Sequence, residues 1–113
     1  MINKEQFMKA LYTFVENDML PKTEGNSKIV LNTAKVAMSL KPDTIFRLIK
    51  ENTLISMLGV IDEHDDIDID TLARILSDGF GSDEFSFVFK IFGKEYALHF
   101  SAADIHTIKR YAM

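Results

Sequence analysis

The C-terminal third limits the possible folds more than any other part of the chain. The run Phe85-Ser86-Phe87-Val88-Phe89-Lys90-Ile91-Phe92 is rich in aromatic and β-branched residues, and residues 95–100 resume the pattern after only Gly93-Lys94. Two such runs split by a two-residue loop with glycine first predict an antiparallel hairpin with a type II′ turn. This register sets Phe92 opposite Glu95, Ile91 opposite Tyr96, Phe89 opposite Leu98 and Phe87 opposite Phe100. One face then carries Phe85, Phe87, Phe89, Ile91, Tyr96, Leu98 and Phe100. The other carries Ser86, Val88, Lys90, Glu95, Ala97 and His99, with Phe92 as its one large apolar member. Slipping the pairing by one residue would scramble both faces, so the clean separation supports the hairpin.

A helix must follow. Ser101 suits an N-cap, Asp104 stands where a capping box is closed, and Phe100 and Ile105 occupy the two staple positions. Ile108 and Tyr111 or Ala112 continue the inward face, and Lys109 and Arg110 favour the negative end of the helix dipole. The N-terminus carries the same grammar. Asn3 and Gln6 form a capping box, Ile2 and Phe7 a staple, and Phe7, Ala10, Leu11, Phe14 and Val15 follow helical spacing over residues 3–19, up to Pro21.

Between these ends the sequence predicts further helices. Residues 21–27 read as a loop, and a helix packed on several sides runs from Ser27 to before Pro42. Pro42 or Asp43 opens another with Ile45, Phe46, Leu48 and Ile49. Asn52-Thr53 marks a break and new cap before Leu54, with Gly59 as the stop. Val60-Ile61 and residues 67–69 are candidates for a very small hairpin. Asp70 is placed to cap a helix bearing Leu72, Ile75 and Leu76, stopped near Gly79 or Gly81. The expected fold is α+β, a single domain over residues 1–113. An N-terminal bundle of about four to five helices packs with a C-terminal antiparallel β-hairpin and its closing helix.

Composition narrows the function. The chain has no cysteine, which removes disulfides, thiolate metal sites and thiol nucleophiles. The opening residues are polar and no apolar stretch approaches a membrane span, so a cytoplasmic protein is expected. Net charge is −4, but Asp62, Glu63, Asp65, Asp66, Asp68 and Asp70 crowd six of the 17 acids into one short stretch. The rest is nearly neutral, with no basic stripe for nucleic acid.

That acidic stretch is the sharpest chemical feature. Asp62, His64, Asp66 and Asp68 alternate as the first ligands of an EF-hand calcium loop do. However, Ile67 stands where the loop needs glycine, and Ala73 where a bidentate glutamate closes the site. The plainer reading is a solvated turn whose last acid caps a helix. His64, His99 and His106 form no HExxH pair, the serines lack a GxSxG setting, and no phosphate-binding glycine loop is present. No cofactor and no small-molecule substrate are expected. Phe92 with Val88 beside it is the second feature: either another helix covers that face, or it is a docking patch for a partner.

Three groups of residues carry a resemblance. They are Met19-Leu20-Pro21-Lys22, then Leu58-Gly59-Val60-Ile61-Asp62-Glu63 with Ile67-Asp68-Ile69-Asp70 and Leu72, then Ser101, Asp104, Ile105, Ile108 and Tyr111. In these the chain resembles small uncharacterised proteins encoded in prophages and related mobile elements of Gram-positive bacteria. The resemblance implies no established activity and no catalytic residues. The expectation is a non-catalytic accessory protein that works through a protein partner or self-association. The alternative is a small calcium-like metal-binding module built on residues 62–70.

Overall fold

A computed structural model describes residues 1–19, 35–36, 38–78 and 84–113, with the side chains of Glu84, Phe85 and Phe87 left out of the description. The fold is α+β, as expected. Helix α1 spans Lys4–Phe14 and runs on into a π-helical turn, Val15–Met19. Helix α2 spans Pro42–Lys50, α3 Thr53–Leu58 and α4 Ile69–Ser77. Strands β1 (Glu84–Ile91) and β2 (Lys94–Ser101) form an antiparallel pair, and α5 (Ala102–Ala112) closes the chain. Of the helix expected from Ser27, Lys35, Val36 and Met38 are helical, and most of the remainder lies outside the described residues. So does the stop at Gly79 or Gly81.

Local grammar set most of these boundaries. Asn3 Oδ1 accepts from the Gln6 amide at 2.8 Å, and Gln6 Oε1 accepts from the Asn3 amide at 3.0 Å. Ser101 and Asp104 form the same reciprocal pair at the head of α5, at 3.2 and 2.9 Å. Each box satisfies amides that the first helical turn leaves without a partner. Pro42 begins α2, where a missing N–H costs nothing. Asn52 caps α3, and Gly59 ends it at φ 63°, the left-handed conformation in which a side chain is strained.

The core lies between α1, α4, α5 and the inner face of the hairpin, with α2 docked at its side. Phe100 is fully buried and its ring centroid lies 6.1 Å from that of Phe14 on α1. Phe7 meets Phe46 of α2 edge-on at 6.4 Å. Ile105 and Ile108 carry the buried stripe of α5.

The hairpin face assignment holds for the described strand side chains, Phe89, Leu98 and Phe100 among them, but not for Phe92, and the register differs. Ile91 pairs with Lys94, Phe89 with Tyr96, Phe87 with Leu98 and Phe85 with Phe100. The pairing is therefore displaced by two residues from the expected one. The turn is Phe92-Gly93, with φ 51° and 79°, both positive as in a type I′ turn, rather than a type II′ turn at Gly93-Lys94. A two-residue displacement returns every side chain to the same face. Both registers therefore fit the same apolar pattern, and here Phe89 stacks on Tyr96 with centroids 5.5 Å apart.

The very small hairpin exists as single bridges. Ile67 bridges Ile61 on one side and Ile2, from before α1, on the other. Ile67 both donates to and accepts from the Ile2 backbone, at 2.8 and 3.1 Å, and the Asp68 amide donates to the Val60 carbonyl. This three-way tie holds residue 67 extended, so α4 begins directly after it. Its cap is consequently Asp68, which accepts from the Thr71 amide at 3.2 Å, and not Asp70. Asp70 instead lies in the first turn of α4 and pairs with Lys109 of α5.

Candidate functional site

The hairpin presents its most unusual residue at its tip. Phe92 is fully exposed and occupies the left-handed region at φ 51°. A bulky side chain there costs on the order of 1 kcal/mol, a position that Asn, Asp or Gly would fill without that strain. Lys90 and Lys94, both exposed, flank it on the two strands. Lys94 Nζ lies 5.5 Å from the Tyr96 ring centroid, so part of that side chain lies along the sheet.

Phe92 is thus not a member of the outer strand face, as the type II′ register had it. It belongs to the turn, roughly 13 Å along the strand from Val88 at the usual rise per residue. Val88 itself is half-exposed on that outer face. The two residues are separate features of one hairpin rather than one continuous patch.

The polar face of the hairpin is approached by the corner between α2 and α3. Asn52 occupies that corner. Its Oδ1 caps α3 through the Ile55 amide at 3.2 Å, while its Nδ2 donates to the Ser86 carbonyl on β1. Beside this tie lies an open groove of about 390 Å³ lined by Leu48, Glu51, Asn52, Thr53, Ser86 and Val88. Of these, sequence reasoning singled out only Val88 as an interaction residue. Asn52 was legible as a cap, but nothing in the chain near position 52 signals the approach of Ser86.

The acidic turn is organised by its own backbone. Asp62 Oδ1 accepts from the amides of His64 at 2.8 Å and Asp66 at 3.0 Å, and the Asp62 amide donates to the Asp66 carbonyl at 3.1 Å. Asp65 takes a positive φ of 62°, and its carboxylate pairs with Lys50 of α2 at 2.6 Å. Asp68 is committed to Thr71, whose hydroxyl donates to Oδ2 at 2.7 Å and holds the carboxyl below its ordinary range, against the opposing effect of burial. His64 is exposed and lies 3.7 Å from Glu63. Of the four alternating residues, Asp62 and Asp68 thus direct carboxylate oxygens at backbone amides. Among the described residues no three His, Asp or Glu side chains gather as a metal-binding set.

The remaining histidines stand apart. His106 Nε2 is 3.4 Å from Ser77 Oγ across the α4–α5 contact, and His99 is exposed on the outer hairpin face. Among the described residues no helix is long and apolar enough to cross a membrane. The chain matches no protein-family model, no curated protein and no solved structure.

Proposed function

We propose that the chain is a non-catalytic accessory protein of a bacterial prophage or related mobile element, acting in the cytoplasm through a protein–protein contact made by the hairpin. One observation carries this reading: a fully exposed phenylalanine, Phe92, held at φ 51° at the hairpin tip. Strain and exposure both oppose an aromatic residue there, and neither is offset by any burial within the chain. A contact made outside the chain supplies the missing compensation, because aromatic side chains are favoured anchors of protein interfaces. Val88, half-exposed on β1, adds apolar surface to the same hairpin.

The test compares complexes recovered from the bacterium that encodes the chain, using the wild type and Phe92→Asn as bait. Asn-Gly is the preferred type I′ pair, so the substitution preserves the turn. Loss of a specific partner with Phe92→Asn is expected. An identical set of partners from both baits overturns the hairpin reading.

A further inference from the structure

Helix α1 does not end as its own periodicity would have it. Its buried stripe includes Phe7, Leu11 and Phe14, and Val15 follows on from it. Continued as an α-helix, at about 100° per residue, the chain would set Asp18 about 20° from Leu11, in the middle of that stripe, with Met19 near its edge. Residues 15–19 instead form a π-helical turn. Bonds that close five residues apart take up one residue more per turn, so Met19 arrives where Asp18 would have been. Met19 packs against the core, and Asp18 is moved to its rim, half-buried. There Asp18 Oδ2 accepts from the Tyr111 hydroxyl at 2.7 Å, across 93 positions of sequence. Tyr111 belongs to the last turn of α5, which packs along α1. The bond holds the Tyr111 hydroxyl above its ordinary range, because only the protonated form can donate it.

We infer that residues 15–19 are a register lock, in which Asp18 selects the π form and Tyr111 secures it, so that an apolar residue at position 18 returns the turn to the α form. The ground is the cost of each register. The α form would put a carboxylate among Phe7, Leu11 and Phe14, and burying an unpaired charge is one of the heaviest penalties a fold can meet. A π turn is rare and needs a cause, and here the cause is the side chain that it keeps out of the core. Tyr111 supplies the second half, since its hydroxyl reaches the carboxylate where the π register leaves it, at the rim. A change of register would rotate residue 19 by roughly one residue's worth, about 100°, and with it the direction in which the chain leaves α1. Tyr111 is 41% exposed, so a contact from outside the molecule can draw its hydroxyl away from Asp18. The lock therefore ties the exit of α1 to an exposed residue of α5, and it uses neither the hairpin tip nor the groove.

Nuclear magnetic resonance on the full chain tests the lock. In Asp18→Leu the leucine methyls are expected to contact Leu11 and Phe14, while Met19 loses its contacts with the core. An Asp18→Leu protein that keeps Met19 inward, or that does not fold, overturns the selection by residue 18, because an apolar residue there should fit the core. Tyr111→Phe removes a single oxygen and should leave Met19 inward. The amides of residues 16–19 should then exchange about fivefold faster, the worth of one hydrogen bond, with exchange in the rest of α1 unchanged. Exchange at 16–19 equal to that of the wild type overturns the role of Tyr111. So does exchange that quickens by the same factor along all of α1, which marks a general loss of stability. Neither variant alters the hairpin, so these outcomes and the Phe92 comparison are decided separately.

Discussion

Asn52 and Ser86 are joined across 34 positions of sequence by one hydrogen bond, from the Asn52 side-chain amide to the Ser86 carbonyl. The same side chain caps α3 through its oxygen. One residue therefore ends the α2–α3 corner and ties that corner to the edge of β1.

Replacing Asn52 by alanine removes both bonds and is expected to cost about 2 kcal/mol, the sum of a lost cap and a lost tertiary hydrogen bond. Asn52→Asp keeps the cap oxygen but turns a donor into an acceptor facing a carbonyl. It should recover no more than the capping share. Urea denaturation of the three proteins measures the difference, and an Asn52→Asp protein as stable as the wild type would show that the Ser86 bond contributes nothing.

Phe92→Asn is expected to raise stability by about 1 kcal/mol, because Asn accepts the left-handed conformation that strains phenylalanine. For a domain of this size that amounts to a rise in Tm of roughly 4 °C. Phe92→Val should do the opposite, since a β-branched residue is still less suited to positive φ. Calorimetry of both variants checks the sign. A stabilised protein with a poorer contact surface would be the mark of a residue retained for binding.

Asp68 ties stability to acid. Its carboxyl is held below the ordinary range, first by the Thr71 hydroxyl, so the ionised form is favoured in the folded chain. The resulting stabilisation is complete above the unfolded value of about 3.9 and is lost as pH falls through the lower folded value. Asn is an equally good cap but does not titrate. The wild type should therefore exceed Asp68→Asn in stability at pH 6, and the gap should close as the pH is lowered below the ordinary carboxylate range. Urea curves at several pH values would contradict this if the gap were constant.

Phe100 and Ile105 staple α5 to the end of β2, and both are almost wholly buried. Ile105→Val should cost about 0.5–1.5 kcal/mol and Phe100→Ala about 3–5 kcal/mol. The second figure approaches the lower range of total stability for a small domain. Phe100→Ala is accordingly expected to be largely unfolded at 37 °C by circular dichroism, while Ile105→Val remains folded with a lower urea midpoint.

The features legible in the chain are those whose physics spans a few residues. The capping boxes Asn3–Gln6 and Ser101–Asp104, the caps at Asn52 and Gly59 and the start at Pro42 all act within one helical turn. Spacing alone therefore places them. The alternation of the hairpin is equally local, and its buried face was assigned correctly at Phe89, Leu98 and Phe100.

The candidate site was legible only in its residues. Val88 and Phe92 were singled out, but as neighbours on one face. The groove beside Val88 depends on Leu48, Glu51 and Thr53, brought there by the α2–α3 corner. The alternating acids of 62–70 have ligand spacing on paper. Where a carboxylate points, however, is decided by the nearest amide donors, and Asp62 and Asp68 found theirs in the backbone.

By itself the sequence determined the α+β class, most of the described helix boundaries and which hairpin side chains face the core, because each follows from contacts within about four residues. Tertiary structure decided the rest. Displacing the hairpin by two residues leaves its faces unchanged, so no local pattern distinguishes the two registers. In the register adopted, Phe89 stacks on Tyr96 and Phe100 reaches Phe14, and the turn then falls at Phe92-Gly93. Likewise the choice of Asp68 over Asp70 as cap followed from the backbone bonds of Ile67 to Ile2 and of Asp68 to Val60, which fix the chain just before α4. Both outcomes depend on partners far away in the chain, and those partners meet only once the core has formed.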